Sequence, residues 1–510
     1  MKALEINGNH LTLERLYEAV FDGAEVALDP AARARMEASR AVIDALVASN
    51  QTAYGVNTGF GDLAEVRISA DQIRQLQVNL VRSHACGVGA PLTESETRAV
   101  MLLRANALAK GLSGVRPILV ETLCAMLNRR VHPVIPSQGS VGASGDLAPL
   151  AHLALVVIGE GEAIYESAKL TGAEAMRRAG ISPLQLEAKE GLSLLNGTQG
   201  MLALLALALR EAEILAAAAD VAAALSLDAL RGSPAAFDER IAQARPYPGA
   251  ATTARNLLRL NRGSHIRESH RATERDPRVQ DAYSLRCAPQ VHGAVRDALA
   301  QARAIASIEL NSATDNPLVF ADGKSAGTGE VISSGNFHGQ PLAMAADQLA
   351  VALATLGGIS ERRIEHMTNP HTSLLPPFLA PNAGLNSGFM LAQVTSAALA
   401  GENKALATPH SVDSIPTSGN QEDYVSMGMA AARRLRPMLE NVRHILAIEL
   451  LAACQGIDLL APLHTGAEAQ RAYELVRSVS AQLGADRPLA PDINAVASLI
   501  ASAAFQELLR

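Results

Sequence analysis

Met201-Leu202-Ala203-Leu204-Leu205-Ala206-Leu207-Ala208-Leu209-Arg210-Glu211-Ala212-Glu213-Ile214-Leu215-Ala216-Ala217-Ala218-Ala219-Asp220-Val221-Ala222-Ala223-Ala224-Leu225-Ser226-Leu227 is the stretch on which the fold turns. Alanine and leucine have the best helix propensities, and the narrow alanine side chain permits close helix approach. Arg210, Glu211, Glu213 and Asp220 interrupt the apolar run, and a bilayer would penalise them heavily, so the segment predicts a protein-buried helix. Stretches of the same kind recur at 291–310, 340–367, 388–407 and 427–460. Together they predict an all-α protein, an elongated multi-helical bundle. Aromatic residues make up 3% of the chain and tryptophan is absent, so the interior must be built from aliphatic interdigitation.

Toward the N-terminus, Leu13, Leu16, Tyr17, Val20 and Phe21 repeat at helical spacing, and Asp29-Pro30 supplies a cap and a first-turn proline for a second helix. Thr93 and Glu96 form a capping-box signature, with Gly111 placed to end that helix. Two segments are not helical. Tyr54-Gly55-Val56-Asn57-Thr58-Gly59-Phe60-Gly61 has three glycines and predicts a loop with freedom to move. Residues 132–139 predict an extended run that leads into Ser140-Val141-Gly142-Ala143-Ser144-Gly145-Asp146. From Leu147 the helical pattern resumes, with Pro149 in its first turn.

At 510 residues the chain exceeds one ordinary core. Hydrophobic residues at 48% and charged residues at 19% suit a soluble protein with much buried surface, including surface buried between subunits. A net charge of -7 without a basic block leaves no footprint for nucleic acid or an anionic membrane, so a small-molecule partner is favoured. The start of the chain has no apolar signal core, and Cys86, Cys124, Cys287 and Cys454 are too dispersed for a disulfide framework. They predict reduced thiols in a cytoplasm. The 13 histidines lack metal-ligand spacing, and no dinucleotide fingerprint follows a strand.

Read alone, Gly142-Ala143-Ser144-Gly145-Asp146 is a small-residue turn with a capping aspartate. A serine-hydrolase elbow fits worse, because the second glycine of that motif is out of place. The longer segment Gly142-Ala143-Ser144-Gly145-Asp146-Leu147-Ala148-Pro149-Leu150-Ala151-His152-Leu153, however, resembles the aromatic amino acid ammonia-lyases, and matches to that family spread over most of the chain. The resemblance implies that Ala143, Ser144 and Gly145 cyclise, losing two waters, into a 4-methylidene-imidazol-5-one prosthetic group formed autocatalytically, with no external cofactor. Small residues at the closing positions reduce the steric cost of bringing the Gly145 nitrogen onto the Ala143 carbonyl. A following helix points its positive end at the site.

The same resemblance implies the remaining machinery. Tyr54, in Tyr-Gly-Val-Asn-Thr-Gly-Phe-Gly, is the base for the β-proton; with a free pKa of about 10, the phenol needs positive neighbours to act at neutral pH. In Asp281-Ala282-Tyr283-Ser284-Leu285-Arg286-Cys287, Arg286 clamps the substrate carboxylate through a planar, two-toothed guanidinium, and Tyr283 and Gln280 lie beside the prosthetic ring. Asn196, in Leu-Leu-Asn-Gly-Thr-Gln, is an amide near the ring and the amino-acid end, and Phe337 is a wall against ring and substrate. Without the resemblance, Asn196 reads as a cap for the helix after it, Phe337 as core packing and Arg286 as a surface charge. The family also implies residues 1–110 as a smaller, mixed N-terminal region carrying Tyr54 and His84, residues 111–510 as the helical domain carrying the prosthetic group, and a homotetramer with each active site assembled from three subunits.

Two positions bear on the substrate. His84, in Arg-Ser-His-Ala-Cys-Gly, matches the family's ring-recognition position, and Glu422, in Asn-Gln-Glu-Asp, matches the carboxylate of the histidine-using branch. A buried carboxylate facing a phenyl ring would be unpaired, a cost of roughly several kcal/mol, whereas an imidazole N–H satisfies it. The expected reaction is loss of ammonia from L-histidine to give trans-urocanate, the first step of histidine degradation. Tyr424 and Thr408 depart from that branch, which commonly has histidine at both places, so tyrosine or phenylalanine deamination, or a 2,3-aminomutase, stays open. A catalytically silent helical scaffold is the more remote alternative.

Overall fold

The structure is a computed structural model that describes residues 3–49, 53, 55–59, 67–272, 276 and 278–509. It is mostly helical, with nine short strands among the described residues. In chain order these are β1 (Leu4–Ile6), α1 (Leu13–Phe21), β2 (Val26–Leu28), α2 (Pro30–Ala48), α3 (Ile73–His84), β3 (Val88–Pro91), α4 (Glu94–Ala109), α5 (Pro117–Asn128), β4 (His132–Pro133), β5 (Pro136–Gln138), α6 (Leu147–Val157), β6 (Glu162–Tyr165), β7 (Ala168–Thr171), α7 (Gly172–Arg178), α8 (Glu190–Leu195) and α9 (Gln199–Ala229). There follow α10 (Glu239–Ala244), α11 (Pro248–Leu260), α12 (His265–Ser269), α13 (Tyr283–Arg286), α14 (Ala288–Glu309), β8 (Leu318–Ala321), β9 (Gly329–Ile332), α15 (Gln340–Thr368), α16 (Met390–Leu406), α17 (Gly428–Arg433), α18 (Leu435–Asp458), α19 (Ala467–Val479), α20 (Ala490–Ala501) and α21 (Ala504–Glu507).

Two compact units divide the chain. The first comprises 1–207, 303–347 and 409–433; the second comprises 208–302, 348–408 and 434–510. The first unit holds all the strands, paired as β1-β2, β3-β5, β4-β6-β7 and β8-β9. In the second unit, α18 packs against α16 and α20, and its buried face runs through Leu439, Val442, Ile445, Leu446 and Leu450.

Local signals behave as their chemistry requires. Asp29 caps α2 by accepting from the Ala32 amide, and both hydrogen bonds of the Thr93–Glu96 capping box are made. Gly111, at φ +79°, follows α4 in the left-handed region that favours glycine. One expectation needs correcting. The stretch 427–460 is two helices, α17 and α18, broken at Arg434. Pro437 explains the break, since its ring would strike the carbonyl of Arg433 and it has no N–H to offer.

The 55–59 segment is a loop, as expected, but a buried one. Val56 is fully buried in a cluster with Val42, Ile43, Ile73, Ala188 and Val319, and Asn57 accepts from the Ala53 amide at 2.9 Å. Among the described helices, α15 alone is long and apolar enough to cross a membrane, with a mean hydropathy of 1.6; 61% of that window is buried inside the protein.

Candidate active site

The Ala143-Ser144-Gly145 segment is held by the chain on both sides of it. β5 pairs antiparallel with β3, bringing the turn after His84 beside the chain entering Ser140. Gly197 then clamps the segment: its N–H donates to Ser144 O at 3.3 Å, and its carbonyl accepts from the Asp146 N–H at 2.7 Å. The approach is so close that a Cβ on Gly145 would lie 2.1 Å from Gly197 O. Gly145 also sits at φ +75°, so any side chain there is both strained and obstructed. On the opposite side, Met427 N–H donates to Val141 O at 2.9 Å, and a Cβ on Gly142 would lie 2.2 Å from Ser426 Oγ.

Two helices begin at this clamp, α6 at Leu147 and α9 at Gln199, and their N-terminal amides make the surroundings electropositive. Asp146 does not cap α6, the helix it precedes. Its Oδ2 instead accepts from Met201 N at 2.7 Å in the first turn of α9, while Oδ1 accepts from Ser140 Oγ at 3.0 Å. Burial pushes the Asp146 carboxyl up to about 6, against the pull of those hydrogen bonds.

Sequence reasoning missed Arg104, which comes up from α4 beneath this loop. Its guanidinium donates through Nη1 to Asn196 O (2.6 Å) and Gln199 Oε1 (2.8 Å). Burial lowers its pKa to about 10, which leaves it charged at neutral pH. Its Nε and Nη2, and the Asn196 Oδ1, are buried with no partner among the described residues. An arginine inside the apolar run Val100-Met101-Leu102-Leu103-Arg104-Ala105 was the available signal. Asn196 follows α8, and its side-chain oxygen caps nothing.

His84, Glu422 and Phe337 belong to the same unit. His84 Nδ1 lies 2.9 Å from Leu80 O, an acceptor only, so Nδ1 carries the proton. Burial depresses the imidazole pKa, against the opposing effects of Leu80 O and the nearby Glu422 charge, so the ring is neutral with Nε2 as an acceptor. Glu422, half-buried, accepts from Thr417 Oγ1 at 2.6 Å. Phe337 is half-buried and next to His338, which stacks on Tyr424 at 6.1 Å between ring centroids.

Gln280, Tyr283 and Arg286 lie in the second unit. Gln280 is exposed, and Tyr283 retains 71% of its accessible surface. Arg286 sits 4.5 Å over the Tyr283 ring and donates from Nε to Asp281 O at 3.0 Å. Tyr54 lies outside the described residues. Among the described residues no group of three or more His, Cys, Asp or Glu side chains could hold a metal ion.

Comparison with known proteins yields one consistent family. The profile described as aromatic amino acid lyase matches residues 11–478. The histidine ammonia-lyase of Koribacter versatilis is 58% identical, over 98% of this chain and 98% of its own. The crystal structure of histidine ammonia-lyase from Trypanosoma cruzi superposes with a TM-score of 0.91 at 45% identity, covering 99% of this chain and 95% of that one. A tyrosine aminomutase from Streptomyces globisporus superposes with a TM-score of 0.92 at 40% identity, covering 99% and 98%.

Proposed function

This chain belongs to the aromatic amino acid lyase family, and from that premise we propose that it eliminates ammonia from L-histidine to give trans-urocanate. The likeness in fold extends equally to an aminomutase, so backbone shape does not select the reaction. The observation that carries the histidine reading is a neutral His84 within electrostatic reach of the Glu422 carboxylate in one unit. Nε2 of His84 and the carboxylate of Glu422 are both acceptors. They suit the two N–H groups of a protonated imidazole, which can meet both at once. A phenol or phenyl ring would leave at least one of them unpaired.

The Ala143-Ser144-Gly145 segment fits closure into a methylidene-imidazolone. Only glycine fits at 145, and among the described residues the Gly145 N–H meets no acceptor, which leaves its nitrogen available to close on the Ala143 carbonyl. Once formed, that ring supplies an electron-poor carbon that no coded side chain offers. The chain's own residues then divide the work. Arg286 holds the substrate carboxylate by two parallel hydrogen bonds. Asn196 Oδ1, buried and without a partner among the described residues, accepts from the substrate's amino group. Tyr54 takes the β-proton, Tyr283 and Gln280 flank the reacting end, and Phe337 walls it off. The N-termini of α6 and α9, with Arg104 behind Asn196, favour negative charge developing beside Gly197.

We place the working enzyme in a cytoplasm as a homotetramer with active sites shared among three copies. The four free cysteines support the first, and the exposed Val279, Tyr283, Leu385 and Leu391 support the second. Incubation of purified enzyme with L-histidine, tyrosine and phenylalanine, followed by absorbance of urocanate, coumarate and cinnamate, tests the reading. Urocanate is expected from histidine. Glu422→Gln should lower histidine turnover by about two orders of magnitude or more while the fold persists; equal turnover in that variant, or preferred release of coumarate, overturns the reading.

A further inference from the structure

Four side chains in the second unit, each at most 1% exposed, form a charged chain that the reaction does not touch: Asp220 (α9), His292 (α14), Arg363 (α15) and Glu449 (α18). Arg363 grips Glu449 with two parallel bonds, Nε to Oε1 at 2.5 Å and Nη2 to Oε2 at 3.0 Å. Ser226 Oγ and Ser360 Oγ donate to the same carboxylate at 2.7 and 2.5 Å. His292 Nδ1 lies 2.8 Å from Asp220 Oδ1 and carries the proton, which leaves Nε2 to accept from Arg363 Nη1 at 3.4 Å. Asp220 is completed by Arg296 Nη2 at 2.6 Å and Asn256 Nδ2 at 2.8 Å.

A buried network of this kind is a weak source of stability, since well-packed apolar residues often serve as well or better. It does fix geometry, because every donor has one place to point. The remaining bond of Arg363 Nη1 goes to the backbone carbonyl of Ser284, at 3.2 Å. Ser284 is inside α13, a helix of 4 residues that also presents Tyr283 and Arg286. One helical turn is marginal by itself, and α13 draws support from Cys287, whose N–H donates to Tyr283 O at 2.9 Å as the chain runs on into α14, and from Leu285, 1% exposed. Within one copy Tyr283, at 71% exposure, adds little to that support. A further tether is at the entrance, where Asp281 Oδ2 accepts from Ser233 N at 2.7 Å.

We propose that Arg363 is a positioning residue for substrate binding: anchored by Glu449 and His292, it holds the Ser284 carbonyl and so sets where Arg286 meets the substrate carboxylate. This rests on Arg286 being the carboxylate clamp, and the experiment separates the two claims. The full-length double variant Arg363→Met/Glu449→Leu removes both charges while keeping apolar volume. In the folded enzyme, KM for L-histidine should rise by roughly ten- to a hundredfold. Competitive inhibition by imidazolepropionate, which has the carboxylate, should weaken in parallel. Inhibition by histamine, which lacks it, should not change. If the double variant does not fold, Arg363→Lys keeps a charge beside Glu449 but loses the fork that reaches Ser284, and must give the same split. Unchanged KM and imidazolepropionate inhibition in either folded variant overturns the positioning role, as does equal weakening of both inhibitors. Arg286→Ala with unchanged KM instead overturns the clamp itself.

Discussion

Two buried arginines, one in each unit, sit in opposite circumstances. Arg363 has every nitrogen engaged, two of them on a carboxylate. Among the described residues Arg104 has only neutral acceptors, Asn196 O and Gln199 Oε1, and its Nε and Nη2 meet no partner, as is true of the neighbouring Asn196 Oδ1. Folded proteins seldom bury polar groups unsatisfied, and where they do the deficit calls for an explanation. The difference teaches that a completed network fixes a backbone, whereas an uncompleted one leaves polar groups to be met, which on the proposed reading are met by charge and substrate that arrive later.

The sharpest separation of the two regions should come from Ser144→Ala. Turnover should vanish, the intact mass should equal that of the variant's open peptide whereas the wild type should fall short of its own by two waters, and the unfolding curve should move little; substantial residual urocanate formation would falsify the self-made electrophile. Next in size is Arg363→Met, which strands the Glu449 charge in the interior. Denaturant titration should show a loss of about 3–5 kcal/mol, most of it recovered by adding Glu449→Leu. A single variant as stable as wild type would mean that the network is not closed in the way described.

Asp146 gives a pH-dependent contrast. Its folded-state pKa is raised from 3.8 to about 6, chiefly by burial. A raised value means the folded state favours the proton, so this contribution is fully present below pH 3.8 and is lost as pH rises through about 6. Relative to Asp146→Asn, the wild type should therefore lose about 3 kcal/mol of unfolding free energy between those limits. A difference that stays flat with pH counts against a fully buried carboxyl. Of the two buried arginines, Arg104→Met should cost the less stability, roughly 2 kcal/mol, because no carboxylate loses its bonded partner. Turnover should still fall. If Arg104→Met proves as destabilising as Arg363→Met, the contrast between the regions collapses.

Much of this was legible in the chain alone, for a local reason. Helix caps such as Asp29 and the Thr93–Glu96 box act within one turn, alanine- and leucine-rich runs set helices by periodicity, and the tripeptide and Glu422 stood in recognisable contexts. Even the break at Arg434 was present in the sequence as Pro437, whose ring acts on the carbonyl four residues back. What the sequence could not contain is the partner of a polar group once the chain has folded. Asp146 reads as the cap of α6, yet it accepts from Met201, 55 residues away. Ser226 reaches Glu449 across 223 residues, and Arg104 reaches Asn196 across 92. Propensity and capping are decided by neighbours along the backbone, whereas the satisfaction of a buried charge depends on which helices pack together, and only the tertiary structure decides that.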